Sequence, residues 1–187
     1  MKSYIYIHKN SLSNELCKDI IEKFEANTDL AYKGVTSEGI NLKIKDTLDL
    51  NILNLDQWDK INKFLKNEIY KHLFIYHNLY DKRFKHYQVD TFQIQRYEKN
   101  VGKFIRHTDE LNTRERSREI VFMWYLNDVD NGGETCFPHH DITINPEAGK
   151  LVFFPSTWTY PHCGNVPLSS NKYIITGWIN IIYTDTE

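Results

Sequence analysis

A mainly β fold, a jelly roll or sandwich with helices on its outside, is predicted by a change of texture along the chain. The first part carries two amphipathic helical patterns, whereas from Tyr87 onward short β-prone runs alternate with Gly, Asn, Asp and Pro. Aromatic residues make up 14% of the chain, with 12 Tyr and 10 Phe, a bias that suits pleated, half-buried surfaces. The 187 residues are 41% hydrophobic and 26% charged, which fits one compact domain, read as a helical lead-in over 1–86 and a β core over 87–183.

Taken in order, residues 4–7 alternate toward a short strand. Ser13 then stands where an N-cap belongs, ahead of Leu16, Ile20, Ile21 and Phe24 at helical spacing. A polar stretch from Lys33 to Asp46 reads as a connection. The stripe Trp58, Ile61, Leu65, Ile69 and Leu73 predicts a longer second helix. Strands are expected at about 87–97, 119–126, 134–137, 150–154 and 172–183. With no helical pattern between these runs, a βαβ unit is excluded in favour of a jelly roll or sandwich.

Several function classes are disfavoured by composition. The formal net charge is -2 and the pI about 6.4, without the basic excess that phosphate binding requires, so no nucleic-acid partner is expected. The cluster Arg106, Arg114, Arg116 and Arg118 reads as a solvated face. Cys17, Cys136 and Cys163 are odd in number and lack CxxC spacing, which suggests neither a disulfide frame nor a zinc site and points to a reducing compartment. No signal peptide and no membrane-spanning run is recognised, so a soluble, cytoplasmic protein is expected. The pattern does not speak to oligomeric state.

The chemistry-bearing residues lie in the second half. In TFQIQRY, side-chain alternation puts Thr91, Gln93, Gln95 and Tyr97 on one face, either solvated or lining a ligand cavity. His107 and Asp109 are two apart, so in an extended segment both leave the same face and can reach one ion. Two histidines and a carboxylate on one face of an octahedron leave positions open for a bidentate keto acid and dioxygen. The spacing alone does not decide, because His139 and Asp141 repeat it within an exposed connection after NGGETCFP. A third ligand is sought downstream, where His162 is the last histidine of the chain. Lys172 opens the apolar run KYIITGWIN and is either a solvated strand-end lysine or a buried cation that needs an anionic partner. A bound dicarboxylate would supply that partner, with Tyr97 and Thr176 as hydrogen-bond donors and Trp178 as a wall.

These residues, in the runs QIQRYEKNVGKFIRHTDE, REIVFMWYLNDVDNGGETCFP and PEAGKLVFFPSTWTYPHCGNVPLSSNKYIITGWIN, resemble the 2-oxoglutarate/Fe(II)-dependent dioxygenases of the prolyl 4-hydroxylase type. The resemblance covers roughly 87–181, and the fore-part is similar to the helical segment that precedes the core in that branch. It implies a double-stranded β-helix (jelly roll, cupin-like) core with N-terminal helices packed outside. It further implies His107, Asp109 and His162 as iron ligands, Lys172 as the partner of the distal carboxylate of 2-oxoglutarate, Tyr97 as a hydrogen bonder to it and Trp178 as the tryptophan near the pocket. Gly132, Gly133, Glu134 and Thr135 would form a tight connection beside the site, and Gly149 a turn before the next strand.

The cofactors implied are Fe(II), 2-oxoglutarate as co-substrate, dioxygen, and ascorbate as reductant. The activity implied is hydroxylation of an unactivated C–H bond, foremost prolyl 4-hydroxylation of a peptide or protein; Asp109 argues against halogenation, which needs a vacant carboxylate position. A charged loop, ELNTRERSRE, departs from relatives that place aromatic residues there and leaves the substrate open. The alternatives are a hydroxylase of a free amino acid or other small molecule, and a non-catalytic cupin-like metal-binding module.

Overall fold

A computed structural model describes residues 3–80 and 86–183. The chain begins with strand β1 (Tyr6–His8) and helix α1 (Asn14–Glu25), followed by the short strands β2 (Tyr32–Lys33), β3 (Val35–Thr36), β4 (Gly39–Ile40), β5 (Lys45–Asp46) and β6 (Leu48–Asn51). Helix α2 (Asp59–Leu79) precedes β7 (Tyr87–Val89), β8 (Gln93–Tyr97), β9 (Lys103–His107) and β10 (Arg116–Tyr125). The remaining strands are β11 (Thr135–Phe137), β12 (Ile142–Ile144), β13 (Leu151–Pro155), β14 (His162–Gly164) and β15 (Lys172–Ile182).

Helix α1 starts as the sequence requires, since Ser13 Oγ accepts from the Leu16 amide at 3.2 Å and satisfies one of the free N-terminal donors. Its buried face is Cys17, Ile20 and Phe24; that of α2 includes Leu65, Ile69 and Leu73. Both helices pack on the outer face of an eight-stranded sheet ordered β1-β13-β10-β15-β8-β6-β2, with β7 also paired to β15. A five-stranded sheet ordered β12-β11-β14-β9-β5 faces its other side, completing the jelly roll.

Strand β10 shows why its second part, Ile120 to Tyr125, is apolar throughout. Ile120, Phe122 and Trp124 point to the helices, and Val121, Met123 and Tyr125 point between the sheets. A strand covered on both faces needs hydrophobic residues at every position, each worth about 2 kcal/mol when fully buried. Gly149, at φ 75°, turns the chain into β13; a Cβ there would stand 2.1 Å from the Leu12 carbonyl oxygen, so only glycine fits.

The fore-part differs from the helical lead-in that the sequence suggests. Strands β5 and β6 lie within or just after the stretch read as a connection, yet β5 pairs with β9 in the smaller sheet and β6 with β8 in the larger. Lys45 and Asn51 line the cavity and Asp49 is buried beside it, whereas Leu48 and Leu50 of β6 pack on the apolar core, so these short strands carry too few apolar residues to stand out. Strands β9, β12 and β14 also lie outside the runs recognised as strands, each being short and carried by the half-exposed sheet. Among the described residues, no helix is long and apolar enough to cross a membrane.

Candidate active site

The two sheets enclose a cavity of about 780 Å³ whose lining includes Thr91, Gln93, Gln95 and Tyr97, so the polar face of β8 does point inward. His107 ends β9 and His162 begins β14, and the two are directly opposed across an antiparallel pair. Asp109 follows two residues beyond His107. One potential ligand atom from each of the three lies within 4.8 Å of the others, the single cluster of this kind among the described residues. Asp109 Oδ2 is 3.3 Å from His162 Nε2.

The imidazoles are oriented by backbone. His107 Nδ1 donates to the Ile105 carbonyl at 2.8 Å and His162 Nδ1 to the Tyr160 carbonyl at 3.1 Å, which turns both Nε2 atoms toward the cluster. Phe104 stacks on His107, while Phe137 and Phe154 hold the His162 ring. Burial, reinforced by His162, lowers the His107 pKa to about 4, so its ring is neutral near pH 7. For Asp109, burial would raise the carboxyl, but the hydrogen bond from His162 and the charges of His162, His107 and Arg118 prevail and hold it well below the usual range. A neutral His107 ring and an ionised Asp109 carboxylate are ready to take a metal without first losing protons.

Deeper in the cavity Lys172 is 1% exposed, opposite Tyr97 in the β15–β8 pairing. Its Nζ donates to the Gly133 carbonyl at 2.9 Å and lies 3.9 Å from the Tyr97 ring centroid. Among the described residues no carboxylate is in direct contact with it. Burial therefore lowers its pKa to about 7, against the opposing charge of Glu134. Gly164 closes this corner: a Cβ on it would lie 3.3 Å from Tyr97 Cε1 and 3.5 Å from Lys172 Nζ. The solvated strand-end reading of Lys172 is thereby removed.

Thr176 and Trp178 line the same cavity. The Thr176 hydroxyl donates to the Phe122 carbonyl at 3.0 Å, so its one proton is committed to the sheet and only its oxygen is left to accept. Trp178 forms a wall on which the Arg118 guanidinium stacks, 3.5 Å from the ring centroid. Arg118 is a residue that the sequence reading assigned to a solvated face. A register shift between Arg118 and Ile120 in the β10–β15 pairing turns its side chain to the cavity side, and a bulge of this kind has no signature in composition. Gly164, Lys45 and the buried Asp49 were not singled out either; their placement depends on strand pairing.

His139, His140 and Asp141 lie in a turn between β11 and β12, outside the cluster. His139 Nε2 contacts Arg106 at 2.5 Å and His140 Nε2 the Thr159 carbonyl at 3.1 Å.

A model of the 2OG-Fe(II) oxygenase superfamily matches residues 92–180, the span from β8 to β15 that contains the cluster and Lys172. Residues 92–180 belong to this family. It is similar to a probable prolyl 4-hydroxylase of Arabidopsis thaliana, with 30% identity over 142 residues, 71% of this chain. The chain spans 44% of that relative's length. The fold is shared with the viral collagen prolyl hydroxylase of Paramecium Bursaria Chlorella virus-1 in its 2OG complex, at 20% identity and a TM-score of 0.73, covering 96% of this chain and 97% of the other. It is shared also with a Trichoplax adhaerens prolyl hydroxylase in complex with a hypoxia inducible factor peptide, at 20% identity and a TM-score of 0.76, covering 95% and 84%. The family implies Fe(II), 2-oxoglutarate and dioxygen, and the two-histidine, one-carboxylate cluster is a donor set suited to Fe(II).

Proposed function

We propose that the chain is an Fe(II)- and 2-oxoglutarate-dependent dioxygenase that hydroxylates a C–H bond of a peptidyl proline. The observation that carries this reading is the joint placement in one cavity of an oriented His107–Asp109–His162 cluster and an anion-starved lysine. Peptidyl proline is chosen as substrate because the Arabidopsis relative is named a probable prolyl 4-hydroxylase and the Trichoplax hydroxylase is bound to a peptide.

In this reading His107 Nε2, His162 Nε2 and an Asp109 oxygen hold the iron. Bound iron(II) and 2-oxoglutarate supply the oxidation, in which dioxygen hydroxylates the substrate and converts the keto acid to succinate and carbon dioxide. Lys172 pairs with the distal carboxylate and gains in that partner the charge its burial lacks. Tyr97 donates a hydrogen bond to the same carboxylate. Trp178 and the stacked Arg118 form a rigid wall on the substrate side, and the phenylalanines around both histidines keep water from the ligand bonds. Ascorbate is assigned as the reductant that restores iron oxidised without substrate. A reducing, cytoplasmic setting is supported by Cys17, Cys136 and Cys163, all free thiols.

The test is succinate release from 2-oxoglutarate by anaerobically Fe(II)-loaded protein, with proline peptides and free amino acids as stimulants. Turnover is expected with proline peptides, lost in His107→Ala and kept in His139→Ala. Iron binding without any consumption of 2-oxoglutarate would refute the enzyme reading, and stimulation by a free amino acid alone would refute the peptide.

A further inference from the structure

Tyr97 and its neighbours form a closed chain of hydrogen bonds. Gln93, Gln95 and Tyr97 share the cavity face of β8, and across the β6–β8 pairing Asp49 stands opposite Gln95. Asp49 is 0% exposed and its Oδ2 accepts from Lys45 Nζ at 2.7 Å, an ion pair buried at both ends. The same oxygen accepts from Gln95 Nε2 at 3.4 Å, and Gln93 Oε1 accepts from Gln95 Nε2 at 3.0 Å. Gln93 is held in its turn by Nε2 donating to the Tyr32 hydroxyl at 2.9 Å. With two acceptors on its amino side, the Gln95 amide has one orientation. Its Oε1 must face Tyr97, whose hydroxyl donates to it at 3.2 Å.

A phenol has one proton to give. In the free protein that proton is already bound to Gln95, so Tyr97 can donate to a carboxylate only by leaving Gln95 Oε1 without its partner. We infer that Gln95, oriented by Asp49 and Gln93, is a positioning residue that competes with 2-oxoglutarate for the Tyr97 hydroxyl and thereby weakens co-substrate binding. The inference rests on the proposed role of Lys172 and Tyr97 in holding that carboxylate. It sets the affinity of the site by a residue that need not touch the co-substrate. The Lys45–Asp49 pair also gains a purpose, because it fixes an acceptor on the amino side of Gln95.

The predicted sign is opposite to that of a structural role. Removing the competitor by Gln95→Met, which keeps chain length but has no amide oxygen, frees the Tyr97 proton and should tighten 2-oxoglutarate binding by about threefold to tenfold, the worth of one net hydrogen bond. Tyr97→Phe in the parent should change binding less than in the Gln95→Met background, since in the parent one bond replaces another. The experiment is calorimetric titration of 2-oxoglutarate into anaerobic Mn(II)-loaded protein for the parent, both single variants and the double variant, with melting curves for each.

Tightening in Gln95→Met that disappears when Tyr97→Phe is added supports the inference. Unchanged or weakened binding in a Gln95→Met protein that melts like the parent overturns it, as does tightening that persists without the Tyr97 hydroxyl. If Gln95→Met does not fold, Tyr97→Phe decides alone: a change under about threefold supports competition, and a loss of about tenfold or more overturns it. A parent that binds Mn(II) but not 2-oxoglutarate overturns the proposed function itself, and this inference with it.

Discussion

Replacing Lys172 with Met is expected to stabilise the metal-free protein while abolishing 2-oxoglutarate binding. The ammonium is buried with a carbonyl and an aromatic face as its close partners, and burial lowers its pKa from 10.5 to about 7. At roughly 1.4 kcal/mol per pKa unit this corresponds to about 5 kcal/mol against the folded state. Loss of the hydrogen bond to the Gly133 carbonyl offsets part of the gain, leaving about 2 to 3 kcal/mol, or roughly 5 to 10 °C in Tm for a chain of this size. The sign has a pH signature. Between about 7 and 10.5 the unfolded chain keeps the proton and the folded chain has lost it, so parent stability rises with pH across that window. The advantage of Met is therefore full below pH 7 and shrinks by about 1.4 kcal/mol per unit above it. Melting in EDTA at pH 6, 7.5 and 9 reads this directly. A variant less stable than the parent at pH 6, or a gap that does not narrow by pH 9, would refute the burial argument.

Two further perturbations act on the same cavity. Asp49→Leu leaves Lys45 buried without its partner and should cost about 3 to 5 kcal/mol in urea unfolding, most of it recovered in Lys45→Met/Asp49→Leu; equal instability of single and double variants would show that the pair is not the cause. Gly164→Ala places a methyl 3.3 Å from Tyr97 Cε1 and 3.5 Å from Lys172 Nζ. It should weaken 2-oxoglutarate binding roughly fivefold or more and lower Tm by a few degrees, through overpacking of that corner; calorimetry showing parent affinity would remove Gly164 from the site.

Much of the site was legible because side-chain direction follows chain position. The two-residue step from His107 to Asp109, the inward face Gln93, Gln95 and Tyr97, and the Ser13 cap of α1 are all local relations, fixed within a few residues by strand or helix period. The long strand β15 was legible for the same reason, being an apolar run with one charge at its start. Strands β5 and β9 were not. Their sequences, Lys45–Asp46 and Lys103–His107, are polar at both ends, and they are strands because neighbours pair with them, not because they bury hydrophobic alternation.

What the sequence alone determined is therefore the mainly β texture, two amphipathic helices with the Ser13 cap of the first, and a short set of chemistry-bearing residues held to one face by alternation. The inward turn of Arg118, the commitment of the Thr176 proton to the sheet and the Asp49–Gln95–Tyr97 chain were decided only by tertiary structure. Each depends on which strand lies beside which, and in what register. Register is set by the packing of whole sheets, so partners as distant in sequence as His107 and His162, or Asp49 and Gln95, meet only when the entire core has chosen its arrangement.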